Sequence, residues 1–518
     1  MHAESKNNQP FARELAEFEA RTGRAKAMGG PDKLTKRKAE GVLNARERIN
    51  HLVDPGSFFE SGLLATSTRP EMRDRSPADG KVAGFAKIDS RDVAVVSNDF
   101  TVMGASSGAS NARKIGHMKE VAMKRGLPMV FLGESTGARI PDVMGAVGMG
   151  SSHAPTQYLR TRETPWVSAV LGPCYGSSSW YAALSDFVVM RKGAITAVSS
   201  VRLTSMAIGE AVEPEALGGW KMHTEVTGMV DMAVNSDEEA LDAVKRFLSY
   251  MPSHHNEAPP VAPVPEGSGV DATRILDILP ERRTQVYDVR QIVKLIIDKG
   301  SLLELKSRFG KSVMTGLARL GGRSVGIIAS NPMFKGGAID PDACAKATSF
   351  MVLCDSFNIP LVFMADQPGF MIGVEGERKG AIGRVMNWMN ALSLVTVPRI
   401  SVVMRKDYGQ ALLNMGGGGN ADEVVCWFTA EVNFMNPRSA VTIVHGVTEE
   451  GDAERFNQLL AEMTKGTSAY DLASIYGAQT VINPVDTRDH LIRLLDVHRL
   501  RLSNGVGEHL MRTWPTSY

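Results

Sequence analysis

GFAKIDSRDVAVVSND (84–99) lies over GLARLGGRSVGIIASN (316–331) without a gap, at an offset of 232 residues. The same offset pairs Pro128 with Pro360, Val130 with Val362, Leu132 with Met364, Glu134 with Asp366 and Gly137 with Gly369. At an offset of 233, PWVSAVLGPCYGSS (165–178) lies over PRISVVMRKDYGQA (398–411), setting Tyr175 against Tyr408 and Gly176 against Gly409. Three matches in one order and nearly one register predict a duplicated domain.

Within each copy, short runs rich in β-branched residues alternate with helix-length stretches. VAVVS, PMVFLG and VSAVLG read as buried strands of the first, separated by helical segments such as NARKIGHMKEVAMKRG. SVGIIAS, PLVFMAD and ISVVMR do the same around DACAKATSFMVLCDSFN in the second. Continuous apolar strands alternating with helices predict parallel sheets with crossover helices, an α/β fold built twice. The length of 518 residues suits this, since two domains of roughly 200–250 residues are the expected division. A helical lead fills 1–60, its charged part running from about Phe11 to Leu52 and ending at Asp54-Pro55-Gly56. The first repeat is 61–251 and the second 271–510. Between them PSHHNEAPPVAPVPEGSGV (252–270) has five prolines and no hydrophobic period, the composition of an extended, exposed linker.

Bulk properties exclude several classes of function. The 58 Lys+Arg against 57 Asp+Glu leave a net charge of +1, too little to draw nucleic acid or a membrane surface. No run of 18 apolar residues could span a bilayer. MHAESKNNQPFARELAEF lacks the apolar centre of a signal peptide, so a cytoplasmic enzyme is expected. Cys174, Cys344, Cys354 and Cys426 are scattered and read as buried thiols, neither a zinc ribbon nor a disulfide framework. His117, His153, His223 and His445 lack metal-site spacing, and no metal is expected in this chain. Neither Gly104–Ser110 nor Gly416–Gly419 ends in the G-K-[ST] of a phosphate loop, and the latter run reads as a flexible loop. There is no H-E-x-x-H pair.

In α/β folds functional groups gather where a strand ends and a helix begins. Two such places are repeat mates: Gly172-Pro173-Cys174-Tyr175-Gly176-Ser177-Ser178-Ser179 after VSAVL, and Arg405-Lys406-Asp407-Tyr408-Gly409-Gln410-Ala411 after SVVM. At a helix start the backbone amides lack partners and the local dipole favours negative charge. Each turn can therefore hold a developing oxyanion. The plainer alternative is that small residues only close a tight turn; recurrence at matched positions favours function. Two more glycine turns follow strands, Glu134–Arg139 and Asp366–Phe370. The first joins Gly104–Ser110, whose N–H groups could face a thioester or a phosphate.

LNARERINHLVDPGSFFESG (43–62), GESTGARI (133–140), LGPCYGSSS (171–179) and EALGGWKMHTEVTGMVD (215–231) resemble the carboxyltransferase (β) subunits of biotin-dependent acyl-CoA carboxylases. YDVRQIVKLIIDKGSLLELKSRFG (287–310), CDSFNIPLVFMADQPGFMIG (354–373), VPRISVVMRKDYGQA (397–411) and VINPVDTR (481–488) match in order, so the similarity covers about residues 35–500. The resemblance implies two crotonase-like β-β-α superhelix domains and a hexameric β core. Its active sites would lie where the first domain of one subunit meets the second of a neighbour. It further implies that the amides of Gly176 and Ser177 hold an acyl-CoA enolate. Those of Gln410 and Ala411, beside Tyr408, Gly409 and Leu413, would polarise the ureido oxygen of biotin. Ser106, Ser107, Gly108 and Ala109, with Gly137, Ala138 and Arg139, match the loops on the CoA side. Carboxybiotin would come from a biotin carboxylase and biotin carboxyl carrier (α) subunit. The one biotin-like string, Ala122-Met123-Lys124-Arg125, reads as an exposed lysine within a helix.

This chain departs from the family at three points. Gly176-Ser177 replaces Gly-Gly, Gly409-Gln410-Ala411 replaces Gly-Gly-Ala, and Leu413 stands where propionyl-type members commonly have Asp. These swaps keep the amides but narrow the approach, and they put ordinary propionyl-CoA activity in doubt. They leave open a biotin-independent crotonase-like hydrolase or decarboxylase; a non-catalytic scaffold within a carboxylase complex is a separate alternative.

Overall fold

The computed structural model describes residues 10–151, 157–500 and 502–515. Its backbone divides into two compact units, Met1–His223 with Met232–Leu248, and Thr224–Asp231 with Ser249–Tyr518. The first holds strands β1 (Phe59–Ser61), β2 (Lys81–Ile88), β3 (Arg91–Asn98), β4 (Met129–Ser135), β5 (Trp166–Tyr175), β6 (Phe187–Arg191), β7 (Ile195–Ala197) and β8 (Met232–Val234). They form one sheet in the order β1-β2-β3-β4-β5-β6-β8, with β7 paired to β5. The second unit repeats this with β9 (Leu303–Leu305), β10 (Val313–Leu320), β11 (Arg323–Ser330), β12 (Leu361–Gln367), β13 (Arg399–Tyr408), β14 (Glu423–Trp427), β15 (Glu431–Asn433) and β16 (Thr480–Ile482). Its order from the other edge is β16-β14-β13-β12-β11-β10-β9, with β15 paired to β13. Strands β2, β3 and β4 stand 232 residues from β10, β11 and β12, and β5 stands 233 from β13, so the sequence offsets are structural ones.

The sheets are mixed, which corrects the expectation of parallel sheets. The strands read from the apolar runs do pair in parallel, β3 with β4, β4 with β5, β11 with β12 and β12 with β13. However, GFAKIDSRDVAVVSND is a hairpin, with β2 antiparallel to β3 and β10 antiparallel to β11. Its tip is Asp89-Ser90 in one unit and Gly321-Gly322 in the other, all four at positive φ. Two consecutive left-handed residues give the turn whose twist matches a right-twisted hairpin. Each tip is clamped by an aspartate. Asp54 accepts from the amides of Asp89 and Ser90, and Asp298 from those of Gly321 and Gly322.

The lead forms helices α1 (Ala12–Lys26), α2 (Pro31–Ala39) and α3 (Ala45–Leu52). The third opens on a capping box: Asn44 Oδ1 accepts from the Arg46 and Glu47 amides, and the Glu47 carboxylate accepts from the Asn44 amide. Helix α4 (Ala109–Arg125) crosses from β3 to β4 and stops at Gly126, which is left-handed. It buries Ile115, Met118 and Ala122 against Val96, Met129 and Phe131. A lysine is buried with it: Lys114 donates to the carbonyls of Gly62, Ala78 and Lys81. Its repeat mate Lys346 donates to Phe309 and Val313 in the second unit. Burial disfavours the ammonium and outweighs the nearby carboxylates, pushing Lys114 down to about 8 and Lys346 to about 7.

Candidate active site

Strand β5 runs through Tyr175, so Gly172, Pro173 and Cys174 belong to the strand and Gly176 alone makes the turn. At φ 61 and ψ −129 it occupies a region that glycine enters without steric cost. Gly172 serves another purpose: a Cβ there would lie 2.3 Å from Glu134 Oε1. Ser177 is the first residue of the helix Ser177–Ala183, and no side chain caps that helix. Among the described residues the amides of Gly176 and Ser177 have no acceptor; the Gly176 carbonyl accepts from the Trp180 amide and from Ser179 Oγ.

Gly176 and Ser177 line a cavity of ≈ 160 Å³ in the first unit, together with Ser107, Gly108 and Ala138. Five of the expected residues thus line one cavity. The hydroxyls of Ser107 and Ser177 lie 2.8 Å apart, so the serine that replaces a family glycine has a partner in the cavity.

Four amides of the Gly104–Ser110 stretch are spent inside the protein. Its amides at Ala105, Ser106 and Ser107 donate to Val102, Met103 and Gly137 carbonyls, and that of Gly108 to Asn111 Oδ1. Thr136 and Arg139 complete the stitch by donating to Gly104 and Ser107. The second unit repeats it where Ile339 donates to Gly369 and Met371 to Ile339. These loops therefore shape the cavity wall by their backbone path.

Arg139 is 3% exposed, and its guanidinium is spent inside the protein. It donates to Asp79 Oδ1 at 2.7 Å, Asp142 Oδ2 at 3.2 Å, Ser106 Oγ at 3.2 Å and the Ser106 carbonyl at 3.0 Å. Asp79 also accepts from the Asn111 amide, while Asn111 Nδ2 donates to Asp79 and Ser106 carbonyls. Arg139 and Ser106 are positioning residues for the loop, and neither they, Ala109 nor Gly137 line the cavity. Lys81 sits beneath, donating to the Ala105 carbonyl, with burial pushing its ammonium down to about 7.

Glu134 lies in β4 rather than in a glycine turn. Its carboxylate accepts two hydrogen bonds from Arg37 on α2 and one from Arg48 on α3, and Arg48 also reaches Asp237. The repeat mate Asp366 is likewise buried, beside Arg405 and Lys406.

In the second unit β13 ends at Tyr408, so Arg405 to Tyr408 are strand residues and the turn is Gly409-Gln410. Gly409 has φ 66, and its amide is used, donating to the Asn433 carbonyl at 3.0 Å. The amides of Gln410 and Ala411 have no acceptor among the described residues, and Gln410 is exposed. Tyr408 points into the protein, its hydroxyl donating to Glu431, which also holds Arg283. Leu413 is half-buried, with its carbonyl in the turn that follows. The Gly416–Gly419 run is that tight turn and not a flexible loop: Gly416 and Gly417 are buried, and a Cβ on Gly418 would meet Leu413 at 2.5 Å.

Asp407 is fully buried beside this turn, with one carboxylate oxygen bound by Gln367 and the other unpartnered. Burial pushes its carboxyl up to about 7, with the nearby Asp366 adding to the rise and the Gln367 hydrogen bond opposing it. The folded protein thus binds this proton more tightly than the unfolded chain. Its contribution to stability is full below the ordinary value of 3.8 and is lost as pH rises towards 7. Asp407→Asn, which keeps an acceptor for Gln367, should flatten that fall. The gain at neutral pH is up to about 4 kcal/mol, read from denaturant unfolding of both proteins at acid and neutral pH.

All four cysteines are buried. His223 is buried against the Thr196 carbonyl, and His153 lies outside the described residues. Among the described residues no three His, Cys, Asp or Glu side chains gather as a metal site, and no helix is long and apolar enough to cross a membrane. Lys124 is exposed on α4, paired with Glu120. Arg37, Arg48, Asp79 and Asn111 were not foreseen. Of these, only Asn111 left a local trace, three residues after the glycine it caps.

Two matching α/β units, each turning on glycine from a central strand into a helix, define a crotonase-like carboxyltransferase fold. Residues 36–503 match the family model described as carboxyl transferase domain, and the chain belongs to that family. It is 35% identical over 492 residues to the uncharacterized carboxylase YngE of Bacillus subtilis, covering 92% of this chain and 95% of that one. It is 33% identical over 485 residues to the propionyl-CoA carboxylase beta chain of Roseobacter denitrificans, covering 92% and 95%. A transcarboxylase 12S crystal structure, with methylmalonyl-coenzyme A and methylmalonic acid bound, superposes with a TM-score of 0.88 at 31% identity. It covers 97% of this chain and 98% of that one.

Proposed function

We propose that this carboxyltransferase moves a carboxyl group from carboxybiotin, borne by a separate biotin carboxylase and biotin carboxyl carrier (α) subunit, to the α-carbon of an acyl-CoA. The observation that carries this reading is the pair of unclaimed amides at Gly176 and Ser177, opening on a cavity of acyl size. A hydrogen beside a thioester carbonyl is too weakly acidic to leave at neutral pH unless the enolate oxygen is held. Two fixed N–H donors do this without reorganising, and each is worth about 3–4 kcal/mol in comparable sites. Ser107, Gly108 and Ala138 wall the thioester, while Ser106 and Arg139 keep that wall in place.

Gln410 and Ala411 fit the second half of the task, because their amides are free among the described residues, the first on an exposed residue and the second on a buried one. When bound there, carboxybiotin supplies CO₂ and a base for the α-proton. The assembly in this reading is a homo-hexamer acting in the cytoplasm, with the first unit of one copy facing the second of a neighbour. Apolar exposure supports it: Ile140 is exposed in the first unit, as is its mate Ile372 in the second.

The test is to copurify the native complex and follow ATP- and bicarbonate-dependent carboxylation across short, branched and hydroxylated acyl-CoAs. Carboxylation that avidin abolishes is the expected result. Hydrolysis or decarboxylation of an acyl-CoA by the isolated chain, without biotin, would replace this reading with a crotonase-like hydrolase or decarboxylase.

A further inference from the structure

The cavity beside Gly176 and Ser177 has a mainly apolar lining, with Ser107, Ser177, Asn111 and Gln157 as its polar side chains. Gly108, the residue before helix α4, and Ala112 and Ile115 within it line the cavity at the spacing of one helical face. Tyr158 and Trp180 line it too, their rings in edge contact with centroids 5.0 Å apart.

We infer that the acyl group taken by this site is bulky and apolar, of about the size of a benzene ring, rather than acetyl or propionyl. This rests on the acyl-CoA reading above. The cavity measures ≈ 160 Å³. An engineered apolar cavity of about 150 Å³ stays dry when empty and takes up benzene. A two- or three-carbon acyl group, with its carbonyl held at the amides, leaves most of this space unfilled and its lining without contacts. A branched, six-carbon or aryl group fills it. The paired rings of Tyr158 and Trp180 offer an aryl group the edge-to-face contacts that aromatic pairs favour. The polar side chains of the lining are engaged within the protein: Ser177 with Ser107, Asn111 with Gly108 and Ser106, and Gln157 with the Tyr158 and Tyr181 hydroxyls.

The test uses unreactive ketone analogues of acyl-CoAs, in which a methylene replaces the thioester sulfur, titrated calorimetrically into the native complex. From acetyl to hexanoyl, Kd is expected to fall about fourfold per added methylene. The phenylacetyl analogue should bind at least as tightly as hexanoyl, and decanoyl should gain nothing more. Ala112→Phe, which fills the cavity from α4, should erase the gain beyond propionyl. A flat series, or tightest binding at propionyl, would overturn the inference. If propionyl-CoA is also the best carboxylated substrate, the carboxylase reading stands and only the acyl assignment fails. If the gradient holds but no acyl-CoA is carboxylated, the cavity keeps its apolar ligand and the carboxylase reading fails.

Discussion

Ser177→Pro should lower kcat by two to three orders of magnitude while Ser177→Ala loses less than tenfold. Ser177 is the first residue of its helix, the position where proline is best tolerated because its fixed φ suits the helix and the missing N–H serves no internal bond. Gly176 before it is outside the α region that proline disfavours in its predecessor. The proline therefore removes one oxyanion donor together with the hydroxyl, and deleting such a donor costs about 10²–10³ in kcat. The alanine keeps the amide and loses only the hydroxyl contact to Ser107. An interaction made mainly with the enolate should appear in kcat, with KM less affected. Steady-state carboxylation by both variants in the native complex reads this directly; equal losses would assign the effect to the hydroxyl. The same experiment is not clean in the second unit. Gln410, before Ala411, sits at φ −63 and ψ −20, where a following proline would clash.

Arg48→Met should cost about 3–5 kcal/mol of stability. Arg48 is fully buried between Glu134 and Asp237, at 2.7 Å and 2.9 Å, and these carboxylates hold its charge more firmly than burial weakens it. Methionine matches much of the volume but leaves two carboxylates in a low-dielectric interior, with Arg37 still on Glu134, and Arg191 and the Leu43 amide still on Asp237. Glu134→Gln in the Arg48→Met background should restore part of the loss, because it removes one of the stranded charges. Chemical denaturation of the single and double variants measures both quantities. A single variant within 1 kcal/mol of the parent would show that the network is solvated.

The duplication was legible because it is written in apolar runs that both units must bury. The 232-residue offset of Val130 and Val362 is the offset of β4 and β12 themselves. What escaped was local or long-range in a way that composition does not carry. The tip Asp89-Ser90 lacks the glycine that announces its mate Gly321-Gly322, so the hairpin was hidden inside an aligned stretch and the sheet was expected to be parallel. At the site, Gly176 and Gly409 were visible as the glycines that end matched strands. Their different fates were not, since the Gly409 amide is claimed by Asn433 and the Gly176 amide is not. Arg139 was placed by resemblance in a loop on the CoA side, and its burial against Asp79, far away in sequence, makes it a brace for that loop. The network of Arg37, Arg48, Glu134 and Asp237 spans about two hundred residues and leaves no periodic signal.

The most direct measurement is the infrared carbonyl band of an acyl-CoA labelled with ¹³C at the thioester carbon, bound to the assembled enzyme. If the Gly176 and Ser177 N–H groups grip that oxygen, the band moves to lower frequency than in water, and most of the movement disappears in Ser177→Pro. A band that stays at its solution position, or that shifts equally in the proline variant, would mean that the charge is stabilised elsewhere.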